Sequence, residues 1–272
     1  MKQNFLIFID FMKKLLFRDR SVIKTMVVRD LKAQYVGSLF GFLWAVIEPL
    51  SQVLIYGMVF GFLLRTKPDP EYGTESYFLY LICGIIPWQF FAQSLGLAAD
   101  SIVNNSNLVK KAVGFPSEIL PIIKVFTSVI SHFIAMGLLL IAVGIMMGFS
   151  PYMPFSLVYM FLIIVFSIGI GWIVSSINVY LRDVHKIVSV LIMAWMFLTP
   201  IFYSTHIIPP DVLPLFRLNP MYQVVMGYRY AILAGRMLPA GDLLYLIFVS
   251  FFTFALGGIL FRRLKPGFAE VL

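Results

Sequence analysis

Several kinds of residue are scarce in this chain. Its single cysteine, Cys83, excludes an internal disulfide framework and any cysteine-rich metal site, and it lies in an apolar stretch as a packing residue does. Charged residues make up 12% of the 272 positions, too few to cover the surface of a soluble protein of this length. None of the 19 glycines is followed by lysine, so there is no G-x-x-x-x-G-K loop and no ATP binding by that route. The three histidines fall into no metal-ligand spacing and no nucleophile–base arrangement. No residue stands out as catalytic, and a membrane-embedded transferase, which would want His, Asp or Glu clustered at one interface, is disfavoured.

Apolar residues, at 60%, put the chain in the membrane class. Its net charge of +8 is then topology and lipid headgroup contact rather than nucleic-acid binding. A spanning helix takes about 20 mostly apolar residues. Six runs meet or approach that: 37–64, 77–99, 119–147, 155–181, 187–204 and 243–261, the last two the shortest. With the N-terminus inside, the segments 1–36, 100–118, 182–186 and 262–272 carry 15 Lys and Arg, against 5 in 65–76, 148–154 and 205–242. That bias predicts both termini in the cytosol. The expected fold is an all-α, six-span membrane protein in one domain, with no internal repeat and no sizeable soluble part. An ion-coupled transporter would want repeated halves and midplane acidic residues, and neither is present.

Two segments outside the spans are unusual. In 1–36, Asp10 interrupts the first apolar run, unlike a cleavable signal. A helical period puts Phe5, Phe8, Met12, Leu15 and Leu16 on one face, with Asp10, Lys13, Lys14 and Lys24 largely on another. This pattern predicts an amphipathic helix in the membrane interface; packing on a cytosolic partner is the alternative. The segment 205–242 is too polar and too rich in proline for a span, yet too apolar for a solvated loop. Pro209, Pro210, Pro214 and Pro220 divide it, and Asn219-Pro220 looks like a helix start. It is expected to dip back into the outer leaflet as one or two re-entrant half-helices, which survive at membrane depth only when buried in protein or lining a cavity. A short amphipathic surface helix is the alternative.

Within the spans the ionisable groups are Glu48, Lys124 and His132, too sparse for a proton relay. Lys124 can snorkel to the inner interface, and a lone His132 suits a helix–helix hydrogen bond. A helical period aligns Gly37, Gly41, Trp44, Glu48, Ser51, Gln52 and Tyr56 on span one, a polar stripe that should face protein or water. Span two carries Tyr77, Tyr80, Gly84, Trp88 and Phe91, and span five Ser189, Met193, Met196, Thr199 and Tyr203. Aromatic and Met faces of this kind suit sliding contact with sugar rings; interfacial belts and plain packing use the same residues.

The stretches RDLKAQYVGSLFGFLWAVIEPL (29–50), NLVKKAVGFPSEILP (107–121), VYLRDVHKI (179–187), LTPIFY (198–203) and LNPM (218–221) resemble, in order and spacing, segments of the permease subunits of ABC-type polysaccharide exporters. The resemblance covers nearly the whole chain. It is greatest to O-antigen exporter permeases; capsule and teichoic acid permeases share the motifs, and drug or small-lipid exporters share the fold.

The resemblance implies a half-channel in the bacterial inner membrane that homodimerises and docks two copies of a separate ATPase subunit. ATP and Mg would sit on that partner, with no cofactor on this chain. Segment 100–118 would be the coupling element, with Asn104, Asn107, Lys110 and Lys111 toward the ATPase, although the lysines would equally meet headgroups. The cargo would be a glycan on a polyprenyl-pyrophosphate lipid, attracted by Arg20, Lys24, Arg29 and Lys32, as ordinary anionic lipids also would be. The channel wall would comprise Trp44, Glu48, Gln52, Tyr56, Tyr77, Tyr80, Trp88, Phe91, Met193, Met196 and Tyr203. Segment 205–242 would form the outer gate, with Pro209, Pro210, Asn219, Pro220 and Tyr222.

Glu48-Pro49 sits, for a helix begun at Gly37, about 17 Å along it. Pro49 removes a backbone hydrogen bond and permits a kink, leaving Glu48 as a water-accessible carboxylate in the cytosolic half of the channel. An ion pair with Lys124 or a backbone cap is the alternative.

Overall fold

A computed structural model describes residues 20–111 and 115–272. Among the described residues every regular element is helical: α1 (Arg20–Tyr35), α2 (Trp44–Tyr56, running on as wider π turns over Gly57–Leu63), α3 (Tyr77–Ala99), α4 (Ser106–Lys111), α5 (Ile119–Met147), α6 (Ser156–Tyr180), α7 (Val184–Phe197), α8 (Leu213–Arg217), α9 (Pro220–Arg229, prolonged by a π turn over Tyr230–Ala234), α10 (Ala240–Leu264) and α11 (Phe268–Val271). The amphipathic face assigned to Phe5, Phe8, Met12, Leu15 and Leu16 lies outside the described residues.

Five of these helices are long and apolar enough to cross a membrane: α2 with its extension, α3, α5, α6 and α10. The sixth crossing expected over 187–204 is different. Here α7 starts earlier, ends at Phe197 and has 14 residues, about 21 Å at 1.5 Å per residue, short of a hydrocarbon core of about 30 Å. Pro200 is the cause. It has no N–H for the helix ladder and disfavours helical backbone at Thr199, so the chain turns through 198–203 as an unwound, largely buried corner.

The first span also differs from its apolar run. Gly37 and Gly41 take φ of +81° and +51°, a left-handed backbone open to glycine at little cost. Regular α-helix therefore begins at Trp44. Glu48 sits in its second turn, about 6 Å from the start, rather than deep along the span.

The centre of the bundle is α3, apolar on all sides and packed by α2, α5, α6, α7 and α9. Ser76 caps it, its hydroxyl accepting from the Leu79 N–H. The tightest crossing joins α6 and α10, where Gly169 and Gly257 meet: a Cβ on Gly257 would stand 2.2 Å from the Gly169 carbonyl oxygen. Small residues let backbones approach in this way where lipid supplies no hydrophobic drive between helices. On the other side α1 buries Met26 and Val27 against α5 and leaves Lys24, Arg29 and Lys32 exposed. Asp30 of α1 holds Lys124 of α5 at 2.5 Å, so Lys124 is paired there and not with Glu48.

Candidate functional site

The polar stripe of α2 faces a cavity of about 270 Å³. Glu48, Gln52 and Tyr56 form one wall, Trp88, Gln89 and Gln93 of α3 a second, Ser128, Ser131 and His132 of α5 a third, and Met196 of α7 closes it. The cavity gathers amides, hydroxyls and one carboxylate between apolar helices. Gln89 Nε2 is buried without a protein partner, a donor left for water or a polar ligand. His132 shares a 2.8 Å hydrogen bond between its Nε2 and the Tyr228 hydroxyl, joining α5 to α9. Among the described residues Glu48 has no ion pair, and no group of His, Cys, Asp or Glu could hold a metal. The arrangement offers donors and acceptors of the kind that pair with hydroxyl-bearing groups.

Five of the expected wall residues, Glu48, Gln52, Tyr56, Trp88 and Met196, meet at this cavity. Trp44 and Met193 are exposed on the surface of the single chain, away from this cavity. Tyr80 and Phe91 are fully buried inside the chain and Tyr77 is nearly so. Phe91 packs between Phe166 and Trp195, with ring centres 5.7 and 5.1 Å away. In this conformation these three reach no passage. The reason is that α3 is central: its aromatic stripe meets other helices. Sequence reading missed Gln89, Gln93, Ser128 and Ser131. Their signal was available, since polar side chains in an apolar span face protein or water.

The two tyrosines have another task. The unwound corner 198–203 has lost its helical hydrogen bonds, and a buried carbonyl without a donor costs about 1–3 kcal/mol. Side chains supply the donors. Tyr77 OH donates to Phe202 O at 2.8 Å and Tyr80 OH to Tyr203 O at 2.7 Å. Asn219 Nδ2 donates to Leu198 O at 3.2 Å. Arg229 donates from Nη1 to Pro200 O at 2.7 Å and from Nη2 to Ile201 O at 2.8 Å. Arg229 is fully buried, with its guanidinium 3.5 Å from the centre of the Tyr80 ring. Tyr203 turns its own hydroxyl back to Phe197 O. Arg229 was missed at sequence level, although an arginine inside MGYRYAIL is the kind of polar outlier that marks a function.

Helix α9 holds this corner. Its cap Asn219 accepts from Met221 N and from Trp195 Nε1 of α7, and Pro220 fits the first helical position. Every residue from Met221 to Arg229, Tyr222 included, is buried, while Pro209 and Pro210 lie exposed on the preceding turn. Both ends of the segment tie to one loop. Asp69, 1% exposed, accepts from Ser204 and Thr205; Glu71 pairs with Arg236. Burial over Met226 raises the Tyr72 phenol far above its ordinary value, so in this loop it stays a neutral donor.

At the opposite end of the bundle lies the segment after α3. From Asp100 to Lys110 its exposed residues are Asn104, Asn107 and Lys110, three apart and hence on one side. Lys111 ends α4. The segment's far end is fixed by Glu118, which holds Lys265 at 2.5 Å and whose carbonyl accepts from Trp172 Nε1. The backbone of Arg20 opens α1, beside the exposed Lys24, Arg29 and Lys32.

Known proteins share this sequence along its length. An O-antigen export system permease protein RfbA from Klebsiella pneumoniae is 30% identical over 252 residues, covering 90% of this chain and 92% of that protein. One of the same name from Myxococcus xanthus is 29% identical, covering 94% and 96%. The polysialic acid transport protein KpsM of Escherichia coli is 25% identical, covering 88% and 92%. The ABC-2 type transporter family matches residues 21–233. A multi-pass helical bundle with a polar cavity, an unwound corner and this match over most of its length belongs to the ABC-2 type transporter family, whose members are membrane permeases.

Proposed function

We propose that this chain is the channel-forming permease of an ATP-driven exporter that moves a lipid-linked polysaccharide of the O-antigen kind across the bacterial inner membrane. Two copies enclose the passage, and two ATPase subunits dock on the exposed row Asn104, Asn107 and Lys110, with Lys111 at its end. ATP and Mg are bound there and not on this chain. Both termini are cytosolic, with α7 and the unwound corner 198–203 together completing a sixth crossing. The exposed cations of α1, with Arg20 at its start, attract the pyrophosphate of the carrier lipid. The 205–242 segment is a re-entrant outer gate, a reading supported by its buried α9 and by the tethering of both its ends to the Asp69–Glu71 loop.

The observation that carries this reading is the polar lining of the cavity, where Glu48, Gln52, Gln89 and Gln93 converge from two apolar helices. A lipid or drug path needs no such density of amides, whereas a glycan presents hydroxyls at every ring. Of the expected wall, Glu48, Gln52, Tyr56, Trp88 and Met196 keep that role, with Tyr203 at the corner above.

The test is a deletion strain scored for surface glycan by staining, together with copurification of an ATP-hydrolysing subunit. Loss of surface glycan, restored by the gene, is expected. A deletion strain with unchanged surface glycan and altered drug tolerance would transfer the reading to a small-lipid or drug exporter.

A further inference from the structure

One polar junction at the cytosolic end is used by nothing described so far. Asn178, 2% exposed near the end of α6, spends both ends of its amide. Its Nδ2 donates to Ala99 O and to Asp100 Oδ1, each at 3.0 Å. Its Oδ1 accepts from the His185 backbone N–H at 3.2 Å. Asp100 Oδ2 lies 2.9 Å from His185 Nδ1. One buried amide thus joins the last turn of α3 to the first turn of α7, and a carboxylate–imidazole contact closes the triangle.

Between its ends α7 packs on α3 and α6 through partly buried side chains, Ile192 and Met196 among them. Of its 14 residues only Val188 is buried. Its other firm attachment is at the far end, where Trp195 and Thr199 hydrogen-bond Asn219. A rigid helix fixed by polar contacts at its two ends, with apolar contacts between them along which it can slide, passes a displacement of one end to the other.

We infer that Asp100, Asn178 and His185 make α7 follow the coupling segment. Displacement of segment 100–118 by the ATPase is then passed along α7 to Thr199 and Asn219, at the root of the outer gate. The three are positioning residues and touch no cargo. The inference rests on the proposed reading of 100–118 as the ATPase dock.

The experiment uses the permease copurified with its ATPase, assayed for subunit ratio and ATP hydrolysis, and the same variants in the deletion strain, assayed for surface glycan. Asn178→Leu keeps side-chain bulk and removes all three hydrogen bonds. It is expected to retain the subunit ratio and ATP hydrolysis while export falls about tenfold, within the range of ordinary coupling energies. Asn178→Asp should fail in the same way through repulsion with Asp100. Adding Asp100→Asn lets an amide at position 100 donate to the carboxylate at 178, while Ala99 O stays without its donor, and should recover part of the export; unchanged subunit ratio and ATP hydrolysis throughout are what separate coupling from a merely structural role. Unchanged export in Asn178→Leu would overturn the inference. So would loss of the ATPase subunit together with export, or a double variant no better than Asn178→Asp. The docking reading is tested separately by Asn107→Ala with Lys110→Glu: normal copurification there removes the dock and leaves the Asn178 result to be judged by itself.

Discussion

Arg229 is the residue whose replacement discriminates best between structural explanations of the outer corner. Its two terminal nitrogens meet Pro200 O and Ile201 O at 2.7 and 2.8 Å, its Nε lies 3.4 Å from Tyr80 O, and its plane covers the Tyr80 ring. In Arg229→Met the two corner carbonyls lose their donors at about 1–3 kcal/mol each, and a desolvated cation–π contact of about 2 kcal/mol is lost. Against this stands relief from burying a cation. The net expectation is about 4 kcal/mol of destabilisation, on the order of 10 °C in melting temperature. Arg229→Lys separates charge from shape. An ammonium keeps the charge but cannot present two parallel donors and a stacking plane together, so it should do no better than Met. The assay is thermal unfolding of the detergent-purified chain, with surface glycan scored in parallel. A Met variant melting with the wild type, or a Lys variant restoring full stability, would refute the idea that a planar fork holds the corner.

Three further outcomes are expected. Gly257→Ala drives a methyl into the Gly169 carbonyl and should cost about 1–3 kcal/mol by overpacking, while Gly241→Ala, with open space around it, should melt as the wild type does. Lys124→Met leaves Asp30, 13% exposed along its side chain, with only the exposed Arg29 at 3.3 Å, which should cost about 1 kcal/mol; Asp30→Leu in the same chain should return much of it in a melting assay. Glu48→Leu should lower export about tenfold, the equivalent of 1.4 kcal/mol. Glu48→Gln tells charge from polarity: full export would leave Glu48 a polar wall residue without need of its charge, and full export in Glu48→Leu as well would remove it from the passage.

The helices at 77–99 and 119–147 could be delimited from sequence because their apolar runs end where caps or turn residues begin. The first begins at a serine cap and the second stops before Gly148, whose φ is +88°. Span five could not, because hydropathy counts Leu198, Ile201 and Phe202 as membrane residues whether or not they are helical. Only Pro200 warned otherwise. The cavity was half legible. Period alone placed Glu48, Gln52 and Tyr56 on one side of α2, and that side does face the polar cavity. The same arithmetic applied to α3 grouped Tyr77, Tyr80 and Phe91 correctly but could not say what they meet. A period fixes which residues share a face; the neighbours of that face are a tertiary fact, and α3 has neighbours all round.

The short α7 and the buried α9 are one device. Non-helical backbone at membrane depth needs donors from protein, and the donors for 198–203 come from three places: Tyr77 and Tyr80 on α3, Asn219 at the cap of α9 and Arg229 at its end. Two of those four residues belong to α9. Withdrawing α9 therefore exposes the Leu198, Pro200 and Ile201 carbonyls at once, and they must find water or fall back into helix. Water is what an open glycan passage would bring, so the outer end can part at low cost only when the passage is wet. On the proposed reading a dry, empty channel would be held shut by the three hydrogen bonds that Asn219 and Arg229 give to the corner.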